Sequence, residues 1–374
     1  MNRIYIILIL IQTITACSPD AERKDNNKSS NKYARGFMTE IHDNYTKVTI
    51  HNPWEKAENI SIEYILIDKN TSLPDSFREK KIIRTPVERI VCLSTTHLAF
   101  LEILNETGSV AGISGIKYIS SPEIRNRFKK GKIPDVGYGQ NLNYELLVNQ
   151  KPDLVMAYAL GSEVTAYSQK LNELGIPVVI IAEYLEETPL GKAEWIKFVG
   201  HLFGKEQESI EFFNQLEKKY LELRELTSDV SDKPGIMTGM PHKDAWWVPG
   251  GNSYLANLIA DAGGHYIGKK NTSHESYVIS FENALVWGTQ ADIWINTGNL
   301  TSKKEILAVD QRFNNFRVFR EGKIFNNIKR LSPEGGNDFW ESGTVNPHLI
   351  LRDLINAFHP GLTDDEMIYY KEIK

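Results

Sequence analysis

Cysteine is nearly absent: the 374 residues hold two, Cys17 and Cys92. Two thiols make no disulfide framework, so the fold must rest on packed cores, and the chain is long enough for two domains. Positive charge is also in short supply. Forty-three Lys and Arg face 48 Asp and Glu, a formal net charge of −5, and the isoelectric point is near 6.0. With no basic stripe along any segment, nucleic acid is excluded as a partner. Enzyme signatures are missing: no Gly-x-Ser-x-Gly elbow, no His-Glu-x-x-His pair and no Walker loop. The nine histidines are scattered, without the paired spacing of a zinc site, so neither a metal ion nor a resident cofactor is expected. Beyond the N-terminus no apolar run approaches the ~20 residues that a membrane-spanning helix needs.

What is present begins with Arg3, followed by the apolar run Ile4 to Ile11 and then Ile14-Thr15-Ala16-Cys17. A positive start, a short apolar core and small residues at the end are the pattern of a secretory signal. Ile-Thr-Ala-Cys also resembles the lipobox of bacterial lipoproteins. That resemblance implies removal of the signal ahead of Cys17 and acylation of its thiol, which makes Cys17 a lipid anchor within residues 1–17. Cys92 then has no partner. It lies in Arg-Ile-Val-Cys-Leu-Ser, an apolar strand-like run, and reads as a buried, inert thiol. Residues 18–36, rich in Asn, Ser and Lys, bury too little surface to order themselves and read as a tether. Residues 37–85 alternate apolar and polar side chains (Phe37, Thr39, Ile41; Val48, Ile50; Ile60, Ile62, Tyr64) between Asn-Pro and Leu-Pro turns, a β-rich lead-in.

From Arg89 the rhythm changes. Ile90 to Leu93, Val110 to Ile113, Asp153 to Ala157 and Val178 to Ile181 are short continuous apolar strands separated by helical patterns. Such strands belong to a parallel sheet covered on both faces. This predicts a first α/β lobe over 86–188. Residues 189–230 are helical throughout, with Gly204 ending one stripe and a second stripe (Ile210, Phe213, Leu216, Tyr220, Leu223) running from Glu206 to about Thr227. Strands resume at Ile236, at Ala245 to Val248, at Ala291 to Asn296 and at Lys323 to Phe325, giving a second lobe over 231–374. The fold class is α/β: two Rossmann-like lobes joined by one long helix.

The strand Arg89 to Ser94, the pair Tyr144-Glu145-Leu146-Leu147 and Lys151-Pro152-Asp153-Leu154-Val155, and above all Trp246-Trp247-Val248-Pro249-Gly250-Gly251-Asn252-Ser253-Tyr254 resemble periplasmic binding proteins of the iron-siderophore and vitamin B12 type. The resemblance runs from about residue 86 to the C-terminus. It implies a monomeric, non-enzymatic, lipid-anchored extracytoplasmic protein. Such a protein holds a metal chelate (ferric siderophore, corrinoid or haem) between its lobes and delivers it to the permease and ATPase of an ABC transporter. Two other readings compete: a binder of a small oxyanion such as molybdate, and a chelatase-like enzyme.

Ligands of open parallel sheets sit beyond the carboxyl ends of the strands. Those ends supply the candidates Thr96, His97, Tyr138 and Tyr158 in the first lobe and Trp246, Trp247, Arg330 and Trp340 in the second. Aromatic faces suit a planar chelate, and Arg330 suits an anionic group. Strand alternation sends one of Trp246 and Trp247 inward and the other toward the cleft. His97 can equally be a helix cap, and Tyr138 a turn aromatic. The family resemblance also implies one acidic docking residue per lobe for the permease, with Glu163 and Glu305 as candidates.

Overall fold

The structure is a computed structural model, and it describes residues 28–29, 31–73, 75–77, 79–161, 164–242, 245–363 and 365–374. The alternating lead-in forms a sheet of its own. Strands β1 (Lys28–Ser29), β2 (Phe37–Ile41), β3 (Thr46–His51) and β4 (Ser61–Asp68) run antiparallel in sequence order, and β5 (Lys81–Thr85) joins β4 in parallel. Val48 sits opposite Tyr64 and Ile50 opposite Ile62. Period-2 alternation puts Val48, Ile50 and Tyr64 on one face, and all three are buried.

The apolar runs after Arg89 build a second sheet. Its strands β6 (Ile90–Cys92), β7 (Val110–Ile113), β8 (Leu154–Ala157) and β9 (Val178–Ile180) are all parallel, in the order β7-β6-β8-β9. Parallel neighbours require crossovers, supplied by α1 (Thr95–Ile103), α2 (Pro122–Lys129), α3 (Tyr144–Asn149) and α4 (Val164–Glu173). Ser94, Ser121 and Asn143 cap the first three by accepting N–H groups of the opening turn. Cys92 is buried in β6, where burial pushes its thiol well above the usual range.

Three helices carry the chain onward: α5 (Pro189–Glu194), α6 (Ile196–Phe203) and α7 (Glu206–Glu225). Gly204, at φ 64°, takes the left-handed conformation that ends α6. The 20 residues of α7 bury Phe213, Leu216 and Tyr220, one stripe at helical spacing.

The second lobe runs through β10 (Gly235–Thr238), β11 (Pro241–His242), β12 (Ala245–Val248), α8 (Tyr254–Asp261), β13 (His265–Tyr266), β14 (Tyr277–Ile279), α9 (Phe281–Gln290), β15 (Ile293–Ile295), α10 (Lys303–Val309), α11 (Arg317–Arg320), β16 (Lys323–Asn326), α12 (Pro347–Phe358) and β17 (Lys371–Glu372), and five of these strands form its main sheet. Its order is β13-β10-β15-β16-β17, parallel except for β17. α7 packs against both α6 and α12. The strand at Ala245 to Val248 departs from expectation. It belongs to a separate antiparallel side sheet, β11-β12-β14, because only two residues of sequence separate it from β11, too few for a parallel crossover.

The lead-in and the residues just before it are bound to the first lobe and to α5. The Glu194 carboxylate accepts the backbone N–H groups of Lys32, Tyr33 and Ala34 at 3.0, 2.7 and 2.8 Å. Glu186 accepts those of Arg35 and Gly36 and the Trp195 indole N–H. Tyr64 completes the junction: its hydroxyl accepts the Ile180 N–H at 3.1 Å, closing off the open edge of β9. The chain is therefore fixed from Lys32 onward, inside the segment expected to be tether. The acceptors lie some 150 residues away, out of reach of a local reading.

Candidate functional site

The strand ends of the first lobe are organised by a carboxylate that the sequence did not single out. Asp135 accepts the N–H groups of Gly115, Ile116 and Gly137 at 3.1, 2.9 and 3.0 Å. It thereby sets the loop after β7 beside the loop carrying Tyr138. Gly115 adopts φ 70°, and a Cβ there would lie 3.3 Å from the Tyr118 ring and 3.9 Å from that of Tyr138. Tyr118 and Tyr138 thus share one rim, both exposed. Tyr158, at the end of β8, donates its hydroxyl to that of Tyr138 at 2.9 Å. Burial and the neighbouring phenol raise its pKa, so the donor keeps its proton.

In the second lobe the loop after β16 carries Arg330, Trp340 and Glu341. Arg330 is paired: its Nε lies 2.9 Å from the Asp338 carboxylate as an ion pair, and Asp338 is buried. Trp340 is 51 % exposed, edge-on to the buried Phe339 at 4.6 Å. The same loop crosses to the first lobe. Glu341 accepts the N–H groups of Ser120 and Ser121 at 2.7 and 2.8 Å, Glu334 pairs with Arg125 at 2.9 Å, and Gly336 packs directly on the Tyr118 backbone. Burial pushes the Glu341 carboxyl up to about 8 against the pull of its two N–H donors, and the charges of Asp338 and Glu102 add to the rise. The loop carrying Trp340 therefore lies against the one carrying Tyr118, at the lobe junction.

The tryptophan pair separates as alternation requires. Trp247 is 55 % exposed on the side sheet, opposite Val278. Trp246 is 2 % exposed, stacked on Phe316 at 6.1 Å and Trp294 at 6.0 Å, with Phe281 and Phe313 around it. As a ligand contact Trp246 is corrected: it is the centre of an aromatic core. His97 is corrected likewise. It is fully buried in the first turn of α1, and burial pushes its imidazole down to about 3. The helix start that suggested a solvated cap is itself covered. Thr96, half-buried, shares a hydrogen bond with the Ser94 hydroxyl at 3.0 Å.

Glu305 is exposed at the third position of α10, where its carboxylate accepts the Thr301 N–H at 2.7 Å and hydroxyl at 2.9 Å, while Ser302 accepts the Glu305 N–H. Ser302 is thus the N-cap of α10, and Glu305 is engaged at the residue before that cap. Glu163 and Cys17 lie outside the described residues. Asp135 was not read from the sequence at all; Tyr118, directly after Gly115-Ile116-Lys117, and Glu341 fall within strand-end stretches expected to face the ligand but were not singled out as site residues. Among the described residues no group of three His, Cys, Asp or Glu gathers to hold a metal ion, and no helix is long and apolar enough to cross a membrane.

Comparison with known proteins agrees with this architecture. A family model described as periplasmic binding protein matches residues 90–327. An uncharacterized lipoprotein of Methanocaldococcus jannaschii is 28 % identical over 315 residues, covering 80 % of this chain and 72 % of the relative. Among solved structures, a periplasmic heme-binding protein from Pseudomonas aeruginosa superposes with a TM-score of 0.58 at 16 % identity, over 77 % of this chain and 98 % of that one. An ABC-type Fe3+-hydroxamate transport system structure from Saccharomonospora viridis gives 0.55 at 17 % identity, over 72 % and 92 %. At these identities the structural likeness shows the fold.

Proposed function

We propose, because this chain belongs to the periplasmic binding protein family, that it is the extracytoplasmic capture component of an ABC importer for a metal chelate: a ferric siderophore, a corrinoid or haem. Lobes at 86–188 and 231–374 hold the chelate between them, and residues 189–230 connect them. The observation that carries this reading is the set of aromatics at the lobe junction. Tyr118, Tyr138 and Trp340 expose large apolar faces there, which in a folded protein marks a binding surface. Stacking on such faces suits a planar chelate better than a small oxyanion, whose natural partner Arg330 is already engaged by Asp338. The lipoprotein relative supports anchoring through acylated Cys17. Glu163 and Glu305 are the acidic groups offered to the permease.

The test is direct titration of the soluble Cys17→Ser protein, followed by calorimetry and tryptophan fluorescence. Haemin, ferrichrome, dicyanocobinamide, ferric citrate and molybdate are the probes. At least one chelate should bind with a dissociation constant of about 10 μM or tighter, near −7 kcal/mol. Binding of molybdate alone would replace the chelate reading with the oxyanion one; binding of none would remove both.

A further inference from the structure

Where the first lobe's strand ends meet α8 of the second lobe, the fold buries two opposite charges that do not close on each other. Glu183, just past β9, is 2 % exposed. Its Oε2 has no hydrogen-bond partner. Lys192, in α5, is 9 % exposed; its ammonium lies 5.3 Å from the centre of the Tyr254 ring. Among the described residues that ammonium forms no hydrogen bond, and its attraction to Glu183 is through space. Burial works against the charge of both groups, lowering Lys192 and raising Glu183, and each partly offsets the effect on the other.

A buried carboxylate oxygen without a partner, close to a largely buried lysine whose ammonium forms no hydrogen bond, is costly to keep unless something joins the two. The chemistry of the joining group follows from the charges. A ligand carboxylate would be drawn to Lys192 and repelled by Glu183; a ligand cation would meet the reverse. A neutral group with a donor and an acceptor on one edge satisfies both, the N–H to Glu183 and the C=O from Lys192. The Tyr254 ring contributes a wall from the opposite lobe, so the pair would be read only with the lobes together.

We propose that Glu183 and Lys192 form a donor–acceptor floor to the cleft that selects chelates bearing a carboxamide edge. The proposal rests on the chelate-capture reading and names the substrate class within it.

The experiment compares amide-bearing probes, dicyanocobinamide and ferrichrome, with probes whose polar groups are carboxylates, haemin and ferric citrate. At least one amide-bearing probe should bind about tenfold or more tighter than either carboxylate probe. Lys192→Met and the near-isosteric Glu183→Gln should each weaken the amide-bearing probe about tenfold, while the melting temperature stays within a few degrees. The double variant should lose little more than the worse single one, because both side chains hold the same group. Should Lys192→Met fail to fold, Glu183→Gln and the probe preference still decide. Tighter binding of a carboxylate probe, or unchanged amide affinity in Glu183→Gln, overturns the floor and leaves chelate capture standing. If no chelate binds the unmutated protein, the capture reading falls and the floor with it.

Discussion

The Glu341 carboxylate of the second lobe accepts the Ser120 N–H of the first at 2.7 Å, so the lobe junction is tied by a buried acid. Burial holds its pKa up at about 8, above the ordinary 4.5. Between those values the folded protein binds a proton that the unfolded chain has released, so stability falls as pH rises. The slope approaches about 1.4 kcal/mol per pH unit at most. Glu341→Gln, which cannot titrate, should flatten the dependence of the melting temperature on pH between 5 and 8. An unchanged profile would show that Glu341 is ionised throughout that range.

Trp246 and Trp247 should part company in the same assay. Trp246→Ala empties the centre of the aromatic cluster and should cost about 3–5 kcal/mol of stability. Trp247→Ala, at an exposed position, should stay within about 0.5 kcal/mol while weakening chelate binding about tenfold. Equal losses of stability would contradict the burial of one ring and exposure of the other.

The contrast between these two residues also marks how far the sequence could be read. Local periodicity is a short-range signal, and it placed the parallel strands after Arg89 and the helix beginning at Glu206. Alternation likewise said that one tryptophan must point inward. Which one depended on β12 leaving the main sheet for a side sheet, a pairing choice made by β14 some 30 residues later. Asp135, Glu186, Glu194 and Glu341 were illegible for the same reason. Each looks like an ordinary acidic residue until the fold brings it beneath backbone N–H groups that are distant in sequence. His97 was misread because a helix N-terminus is exposed in isolation but covered here.

Glu194 offers a test of the lead-in. Its carboxylate collects three backbone N–H groups from residues 32–34. Glu194→Ala leaves all three donors without this acceptor, the Ala34 N–H among them buried, at a cost of about 1–3 kcal/mol. Limited proteolysis should then cut between residues 30 and 40 well before the lobes are attacked. Resistance equal to that of the unmutated protein would mean that Tyr64, Glu186 and Glu217 hold the junction without Glu194.

Cys17→Ser addresses the anchor. Expressed in a lipoprotein-processing bacterium, the variant should move from the membrane fraction to the soluble fraction with an unaltered melting temperature. Retention on membranes would refute acylation at Cys17.

The aromatic rim and Arg330 make opposite predictions about the ligand. Stacking contributes beyond the area it buries, so Tyr138→Ala and Trp340→Ala should each weaken chelate binding by about 1–3 kcal/mol, roughly ten- to a hundredfold. Arg330→Ala acts first on the protein itself, since it strips the buried Asp338 of its 2.9 Å partner. Its main effect should therefore be on stability, with a small change in affinity that shrinks further at high salt. Titration of all three variants with the tightest-binding chelate separates the cases. If Arg330→Ala abolishes binding while the aromatic variants bind normally, the charge is the contact that matters. The ligand is then a small anion, and the aromatic rim is only the lip of the lobe junction.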